Sequence, residues 1–288
     1  MGVKIQTIKD IRFYLAKELT GFYQEPEIRI LADIIIKTVT GITKLHHLYD
    51  NRYPVTGRQP ENVHRITEEL KTGKPIQYII GETTFYNCTI KVNSSTLIPR
   101  PETEELTDLI VRENKKYQGN IIDIGTGSGC IAIALAVNIP SSVLTGIEIS
   151  DEAINVAREN ARLNNVHVSF IKGDIFNLSP EEVGKAGIIV SNPPYVRNSE
   201  KLLMNKNILD FEPHLALFVT DSDPLIYYNT ILKLAEKVLL PGGGLYFEIN
   251  EMMGQSLFQL LESFNYSGIE IVADLNNKDR IIKGRKNV

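Results

Sequence analysis

Cysteine is nearly absent. The chain holds two in 288 residues, Cys88 and Cys130, far apart and outside any metal-ligand spacing. That excludes a disulfide framework and a cysteine-built zinc site, and reads as two reduced thiols. No apolar run approaches the roughly 20 residues of a membrane-spanning helix. The opening stretch MGVKIQTIKDIRFYLAKEL mixes both charge signs in an amphipathic pattern, without the apolar centre of a signal peptide. These absences predict a cytoplasmic protein with no membrane partner. An excess of positive charge is missing too: the net charge is −4. Stable binding to bare nucleic acid, which needs clustered Lys and Arg, is therefore disfavoured. The adjacent His46-His47 point different ways on a helix or turn, and no further ligand is spaced to join them, so they make no metal pair. Internal repeats and low-complexity tracts are also lacking.

What is present divides in two. Residues 1–75 carry 12 Lys+Arg against 9 Asp+Glu and show helical spacing in IRFYLAKEL, EIRILADIIIKTVTG and NVHRITEELKTG, with Pro26 suited to a helix start and Gly41 to a helix end. They read as a small all-helical domain. After Gly73-Lys74-Pro75 the text turns rich in Ile, Tyr, Phe, Thr and Val, and residues 76–98 read as a linking β-hairpin. PRPETE follows, and then a helix through EELTDLIVRENKKY, with Glu102 or Thr103 near its start. From Asn120 onward strands and helices alternate, which means right-handed crossovers and a mostly parallel sheet. The expectation for 99–288 is an α/β, Rossmann-like domain with about seven strands, RIIKGRKN forming an edge.

Between the first parallel strand and its helix lies Asp123-Ile124-Gly125-Thr126-Gly127-Ser128-Gly129. Such glycines let backbone approach a ligand closely. The next strand ends in Glu148, where a carboxylate can accept hydrogen bonds from both ribose hydroxyls of a nucleoside. The spacing is G-x-G-x-G, not the G-x-G-x-x-G of dinucleotide binders, and no Lys-Ser or Lys-Thr pair closes a phosphate loop. A nucleoside without pyrophosphate fits, and S-adenosylmethionine is the obvious one. Asp174, after the third strand, reads alone as a turn residue; in this order with the others it is an acceptor for the adenine amine, with Ile175 lining the base.

The fourth strand, GIIV, exits through Ser191-Asn192-Pro193-Pro194-Tyr195-Val196. A plain exit needs one turn residue. Here Asn192 offers an amide carbonyl, the prolines offer carbonyls without competing N–H groups, and Tyr195 adds a flat face. Beyond the carboxyl end of a parallel strand, this is a clamp for a planar group that donates hydrogen bonds.

With these residues assembled, the chain resembles the class I S-adenosylmethionine-dependent methyltransferases, and more narrowly the bacterial release factor glutamine methyltransferases. The resemblance runs through GKPIQYIIGETTFY, TLIPRPETEEL, DIGTGSGCIAIALA, GIEISDEAINVARENA, SNPPYV, FEPHLAL, YFEIN and DLNNKDR. It departs from the family pattern at Asp223-Pro224-Leu225, Asn250 and Asn277, the last two standing where Gly is frequent; none of these is a proposed catalytic group. The resemblance implies methylation of the side-chain amide of the glutamine in the Gly-Gly-Gln motif of peptide chain release factors, by a monomer whose helical domain recognises the protein substrate. It implies that Asn192, Pro193 and Tyr195 are catalytic and that Pro194 and Phe85 help hold the glutamine. Arg100 and Glu102 in PRPETE read as orienting the linker between domains, with contact to substrate as the alternative. A ribosomal-protein glutamine, adenine in DNA, and a non-catalytic adapter are the alternatives.

Overall fold

The computed structural model describes residues 4–42 and 49–288, so His46-His47 fall outside it. The chain divides into two compact units: one runs to Gly81 and includes Asn205–Phe211, and the other holds Glu82–Met204 and Glu212–Val288.

The first unit is helical. Thr7 caps α1 (Ile8–Leu19) in a reciprocal capping box with Asp10. Pro26 lies in the first turn of α2 (Glu25–Thr40), and Gly41 ends that helix at φ 69°, in the left-handed region glycine tolerates best. With α3 (Gln59–Lys71), these helices bury Ile8, Ile11, Leu15, Leu19, Ile35, Ile36, Ile66 and Leu70 in one core. The helical spacing of those apolar residues is what places them on one face. A single helical turn, α4 (Ile76–Ile80), follows. A much later stretch of the chain returns to supply α9 (Lys206–Phe211) to this unit.

The hairpin expected across 76–98 is shorter than the sequence suggests. It comprises β1 (Glu82–Phe85) and β2 (Cys88–Lys91), turning at Tyr86-Asn87 with both residues at positive φ. Residues 76–80 are helical, because Pro75 presets a helix entry and Gly81 (φ 88°) ends the turn. Two asparagines, one in the last turns of α7 (Asp151–Leu163) and one capping its end, cover the edge of β2. Asn160 donates to the Lys91 carbonyl (3.0 Å) and accepts its N–H (2.7 Å), while Asn164 makes the same reciprocal pair with Thr89 (2.7 and 3.1 Å). Four residues apart at the end of one helix, they stand in for a neighbouring strand and satisfy an otherwise open edge.

The remaining elements are α5 (Pro101–Asn114), β3 (Asn120–Ile124), α6 (Cys130–Asn138), β4 (Val143–Glu148), β5 (Val168–Lys172), α8 (Pro180–Val183), β6 (Ala186–Ser191), β7 (Val196–Arg197), β8 (Phe218–Val219), α10 (Ile226–Val238), β9 (Leu239–Glu248), α11 (Gly254–Ser263), β10 (Tyr266–Ala273) and β11 (Asp279–Lys286). Seven strands form one sheet in the order β10-β11-β9-β6-β3-β4-β5. The five from β9 to β5 are parallel, and β11 and β10 join antiparallel. RIIKGRKN is therefore not an edge: β11 lies between β9 and β10, and its buried Ile281 and Ile282 show why. The edge on that side is β10, whose residues are mostly exposed or half-buried. Pro224, in the Asp223-Pro224-Leu225 departure from the family pattern, lies two residues before α10. Asn277 adopts φ 58°, the left-handed turn that its place in the family pattern requires.

The strand order reverses between β3 and β6. That switch leaves the loops after β3 and β6 diverging beyond the carboxyl edge of the sheet, where a cleft can form.

Candidate active site

A cavity of about 490 Å³ lies at that edge, within the second unit. Its walls are the ends of four neighbouring parallel strands: Gly125 to Ser128 after β3, Glu148 at the end of β4, Asp174 and Ile175 after β5, and Asn192, Pro193 and Pro194 after β6. A larger hollow of about 820 Å³ between α1 and α2 is lined by Arg12, Phe22, Tyr23 and Arg29 and gathers no comparable group of acids and glycines.

The glycine loop is held from below and from beside. Gly125 and Gly127 take φ 74° and 54°, which lets the backbone fold over the end of β3 without side chains in the cleft. Both Gly125 and Thr126 donate N–H bonds to the Ile147 carbonyl, at 2.9 and 3.0 Å. Glu148 accepts the Gly127 N–H at 2.9 Å through Oε2, and the Ile149 and Ser150 N–H groups through Oε1. A partly exposed carboxylate carries about four acceptor positions, so Glu148 keeps capacity toward the cavity. Asn160, fully buried, also donates to the Ser128 carbonyl at 2.9 Å and so ties the loop to the hairpin.

Asp123 does not line the cavity. It is buried beneath the loop, where it accepts the Thr126 hydroxyl at 2.5 Å on Oδ2 while Oδ1 has no hydrogen-bond partner. Burial pushes its carboxyl up to about 7, against the pull of the Thr126 and Ala132 donors and with the help of the Glu148 charge. Gly129 is likewise a packing position: a Cβ there would lie 3.1 Å from Ala157 of α7. Asp174 accepts from the Phe176 N–H (3.0 Å) and the Asn177 amide (2.8 Å), so it organises its own turn while facing the cavity.

On the opposite wall, Asn192 donates through Nδ2 to the Thr103 hydroxyl at 3.2 Å. Thr103 in turn donates to Glu248 Oε2 at 2.6 Å. Tyr195 turns its hydroxyl away from the cavity, to Glu248 Oε1 at 2.9 Å, and its ring packs against the sheet core. Its place in the site is thus beneath the Asn-Pro-Pro segment and not in the wall. Phe85 is 1% exposed in the hairpin and does not line the cavity; the family resemblance through GKPIQYIIGETTFY was its only signal. Arg100 forms an ion pair with the buried Glu212 at 2.5 Å, and Glu212 also accepts the Ile98 N–H. That pair anchors the chain beside Pro213, Leu215 and Ala216 of the cavity rim.

Several wall and support residues carried no readable motif. Phe176 and Tyr227 line the cavity with ring centroids 5.2 Å apart. Thr103 looked like a helix-start residue, which it is, yet its hydroxyl joins Asn192 to Glu248. For Glu248 there was a signal: a single carboxylate inside the apolar run GLYFEI, which burial makes costly unless donors surround it.

Comparison with known proteins agrees with this architecture. Residues 14–81 match the PrmC N-terminal domain and residues 102–212 the methyltransferase small domain. The solved methyltransferase from Pyrococcus furiosus shares the fold, with a TM-score of 0.51 at 18% identity over 69% of this chain and 89% of that one. The release factor glutamine methyltransferase of Flavobacterium psychrophilum is 42% identical over 96% of this chain and 98% of its own. That of Bacteroides thetaiotaomicron is 39% identical over 96% and 99%. At such identity over nearly the whole of both chains, the protein belongs to the release factor glutamine methyltransferase family.

Proposed function

We propose that the protein transfers a methyl group from S-adenosylmethionine to the side-chain amide nitrogen of the glutamine in the Gly-Gly-Gln motif of peptide chain release factors. The observation that carries this reading is the orientation of Asn192. With Nδ2 committed to Thr103, its Oδ1 is the end left to meet a donor in the cavity.

The cavity suits the cofactor. Its volume is of nucleoside size, its glycine turn admits close backbone approach, Glu148 can take ribose hydroxyls, and Asp174 with Ile175 and Phe176 can take the base. Buried Asp123, when ionised, adds negative potential under the loop, which favours a cationic ligand above it. Bound there, S-adenosylmethionine supplies a methyl group made electrophilic by its sulfonium.

The chain's own task is positioning. An amide nitrogen is a poor nucleophile because its lone pair is delocalised into the carbonyl. Asn192 Oδ1 and the Pro193 carbonyl each accept one amide hydrogen, which fixes the nitrogen in line with the methyl. The same two oxygens stabilise the positive charge that develops on nitrogen. Pro194 lacks an N–H and so leaves those acceptors without an internal competitor. No general base is required, since the nitrogen becomes acidic as it is methylated and its proton can leave afterwards. The domains fall into roles on this reading: residues 1–75 recognise the protein substrate, 76–98 link, and 99–288 carry the chemistry in the cytoplasm.

The test is to incubate the protein and its Asn192→Ala variant with S-adenosylmethionine and, separately, purified release factor, ribosomal proteins and duplex DNA. Peptide mass spectrometry and nucleoside analysis locate the methyl. A methyl on the Gly-Gly-Gln glutamine, absent with the variant, is the expected result. A methyl only on a ribosomal glutamine or on adenine overturns the substrate.

A further inference from the structure

Beneath the Asn-Pro-Pro wall sits a carboxylate that the reaction above does not touch. Glu248 ends β9, next to the end of β6 that leads into Asn192, and is 1% exposed. A buried carboxylate is tolerated where donors surround it. Here the hydroxyls of Thr103 and Tyr195 each take one oxygen, at 2.6 and 2.9 Å. The Glu248 carbonyl accepts the Tyr228 hydroxyl at 2.9 Å, which pins the strand end itself.

The direction of these bonds has a consequence for Asn192. Burial raises the Glu248 carboxyl above its ordinary range, while the Thr103 and Tyr195 hydroxyls and the Arg280 charge favour its ionised form. Ionised, it can only accept, and a hydroxyl has one hydrogen to give. Thr103 spends that hydrogen on Glu248, so toward Asn192, 3.2 Å away, it can only accept. The two ends of an asparagine amide are nearly identical in shape but opposite in hydrogen-bonding sense. The end facing Thr103 must therefore be Nδ2. Reversed, Asn192 would set its carbonyl against an oxygen with no hydrogen left and would offer the cavity an NH2 group, which cannot accept from a substrate amide.

We propose that Glu248, acting through Thr103, is a positioning residue that keeps the acceptor end of Asn192 turned toward the substrate amide. The proposal rests on the function above, because only a substrate that donates N–H needs this orientation. It also accounts for a buried acid at the end of β9, where an apolar residue would pack at lower cost.

The experiment compares Thr103→Val, Thr103→Ser, Glu248→Gln and the Thr103→Val/Glu248→Gln double variant with the parent. Urea unfolding establishes which are folded, and calorimetry gives the affinity for S-adenosylmethionine. Turnover on release factor then gives kcat and KM separately. Thr103→Val should lower kcat about tenfold, a loss the size of one hydrogen bond, with cofactor affinity within about twofold of the parent. Thr103→Ser, which keeps the hydroxyl, should restore kcat to within about twofold. Because Glu248 works through Thr103, the double variant should lose no more than the worse single variant. A parental kcat for Thr103→Val, a Thr103→Ser variant as impaired as Thr103→Val, or multiplicative losses in the double variant would each overturn the proposal. Should Glu248→Gln fail to fold, the valine and serine pair still decides. A separate arm needs no substrate: in protein labelled with 15N-asparagine, the Asn192 side-chain protons should exchange slowly in the parent and at least several-fold faster in Thr103→Val. Equal exchange sinks the positioning role. A parent that holds this exchange difference yet leaves the release factor unmethylated would instead count against the proposed substrate.

Discussion

The two walls of the cavity are built by opposite means. The glycine wall is made of backbone: its carbonyls and N–H groups come from a turn and from the neighbouring strand, with one acid, Glu148, 21 residues beyond Gly127. The asparagine wall is held in place by side chains from distant elements, some of them beneath it. Asn192 reaches Thr103 across 89 residues, Thr103 reaches Glu248 across 145, and Tyr195 reaches Glu248 across 53. A backbone wall is rigid by virtue of local conformation and tolerates change in its surroundings. A side-chain wall depends on burial and on hydrogen-bond direction, so a single lost group can misorient the rest.

The largest expected break in this comparison is Asn192→Ala. It removes an acceptor used in the transition state, so kcat should fall by about 10²- to 10³-fold. Cofactor affinity measured by calorimetry should stay within a few-fold. Equal losses in both would mean that the two walls are not separable. The complementary change is Glu148→Ala, which removes the partner of Gly127 N–H together with the ribose acceptors. Hydrogen bonds to a charged group are worth about 1.5–3 kcal/mol each, so cofactor affinity should weaken roughly 10²-fold. Unchanged affinity would remove Glu148 from the ribose site.

The contrast also explains what was legible in the sequence. Glycine spacing after an apolar strand, with an acid ending the next strand, reports a backbone wall because every part is local. The seven-stranded, mostly parallel sheet was legible for a similar reason, since strands and helices alternate with clear punctuation. Asn192 and the prolines were visible as an oddity at a strand exit. Their supports were not: the pairing of Thr103 with Glu248 exists only once α5 packs beside the end of β9. Phe85 packs within the hairpin and Tyr195 against the sheet core, and sequence does not report this because an aromatic side chain near a motif looks the same whether it faces the cavity or the core. The hairpin limits failed because Ile-Gln-Tyr-Ile-Ile has strand composition, yet Pro75 and Gly81 enclose it in a helical turn. The place of β11 inside the sheet depends on antiparallel pairing at both its edges, which chain order does not report.

A smaller effect sharpens the comparison from beneath the glycine wall. Asp123 has its carboxyl raised by burial to about 7, from an ordinary value of 3.8. In the ligand-free protein it is therefore protonated at pH ~5.5 and ionised at pH ~8. A raised acid contributes stability that is present at low pH and lost as the pH rises through its folded value. The stability of the parent relative to Asp123→Asn should thus be about 2 kcal/mol greater at the lower pH than at the higher, by linkage. Urea unfolding of both proteins at the two pH values measures it. A difference independent of pH would show that Asp123 titrates as an ordinary carboxylate.

The smallest effect expected is that of Tyr195→Phe. The ring stays packed against the sheet core, while Glu248 loses one of its two hydroxyl donors. The remaining donor, Thr103, is the one that sets Asn192, so the orientation of the amide survives. Loss of a hydroxyl to a buried carboxylate is worth up to about 3 kcal/mol, but that cost falls on folding and is shared by ground and transition states. Turnover should therefore drop no more than about threefold, with KM and cofactor affinity unchanged, while the urea midpoint falls. A drop in kcat as large as that of Asn192→Ala would place the Tyr195 hydroxyl in the reaction itself. The asparagine wall would then need a second contact with the substrate that its present hydrogen bonds do not supply.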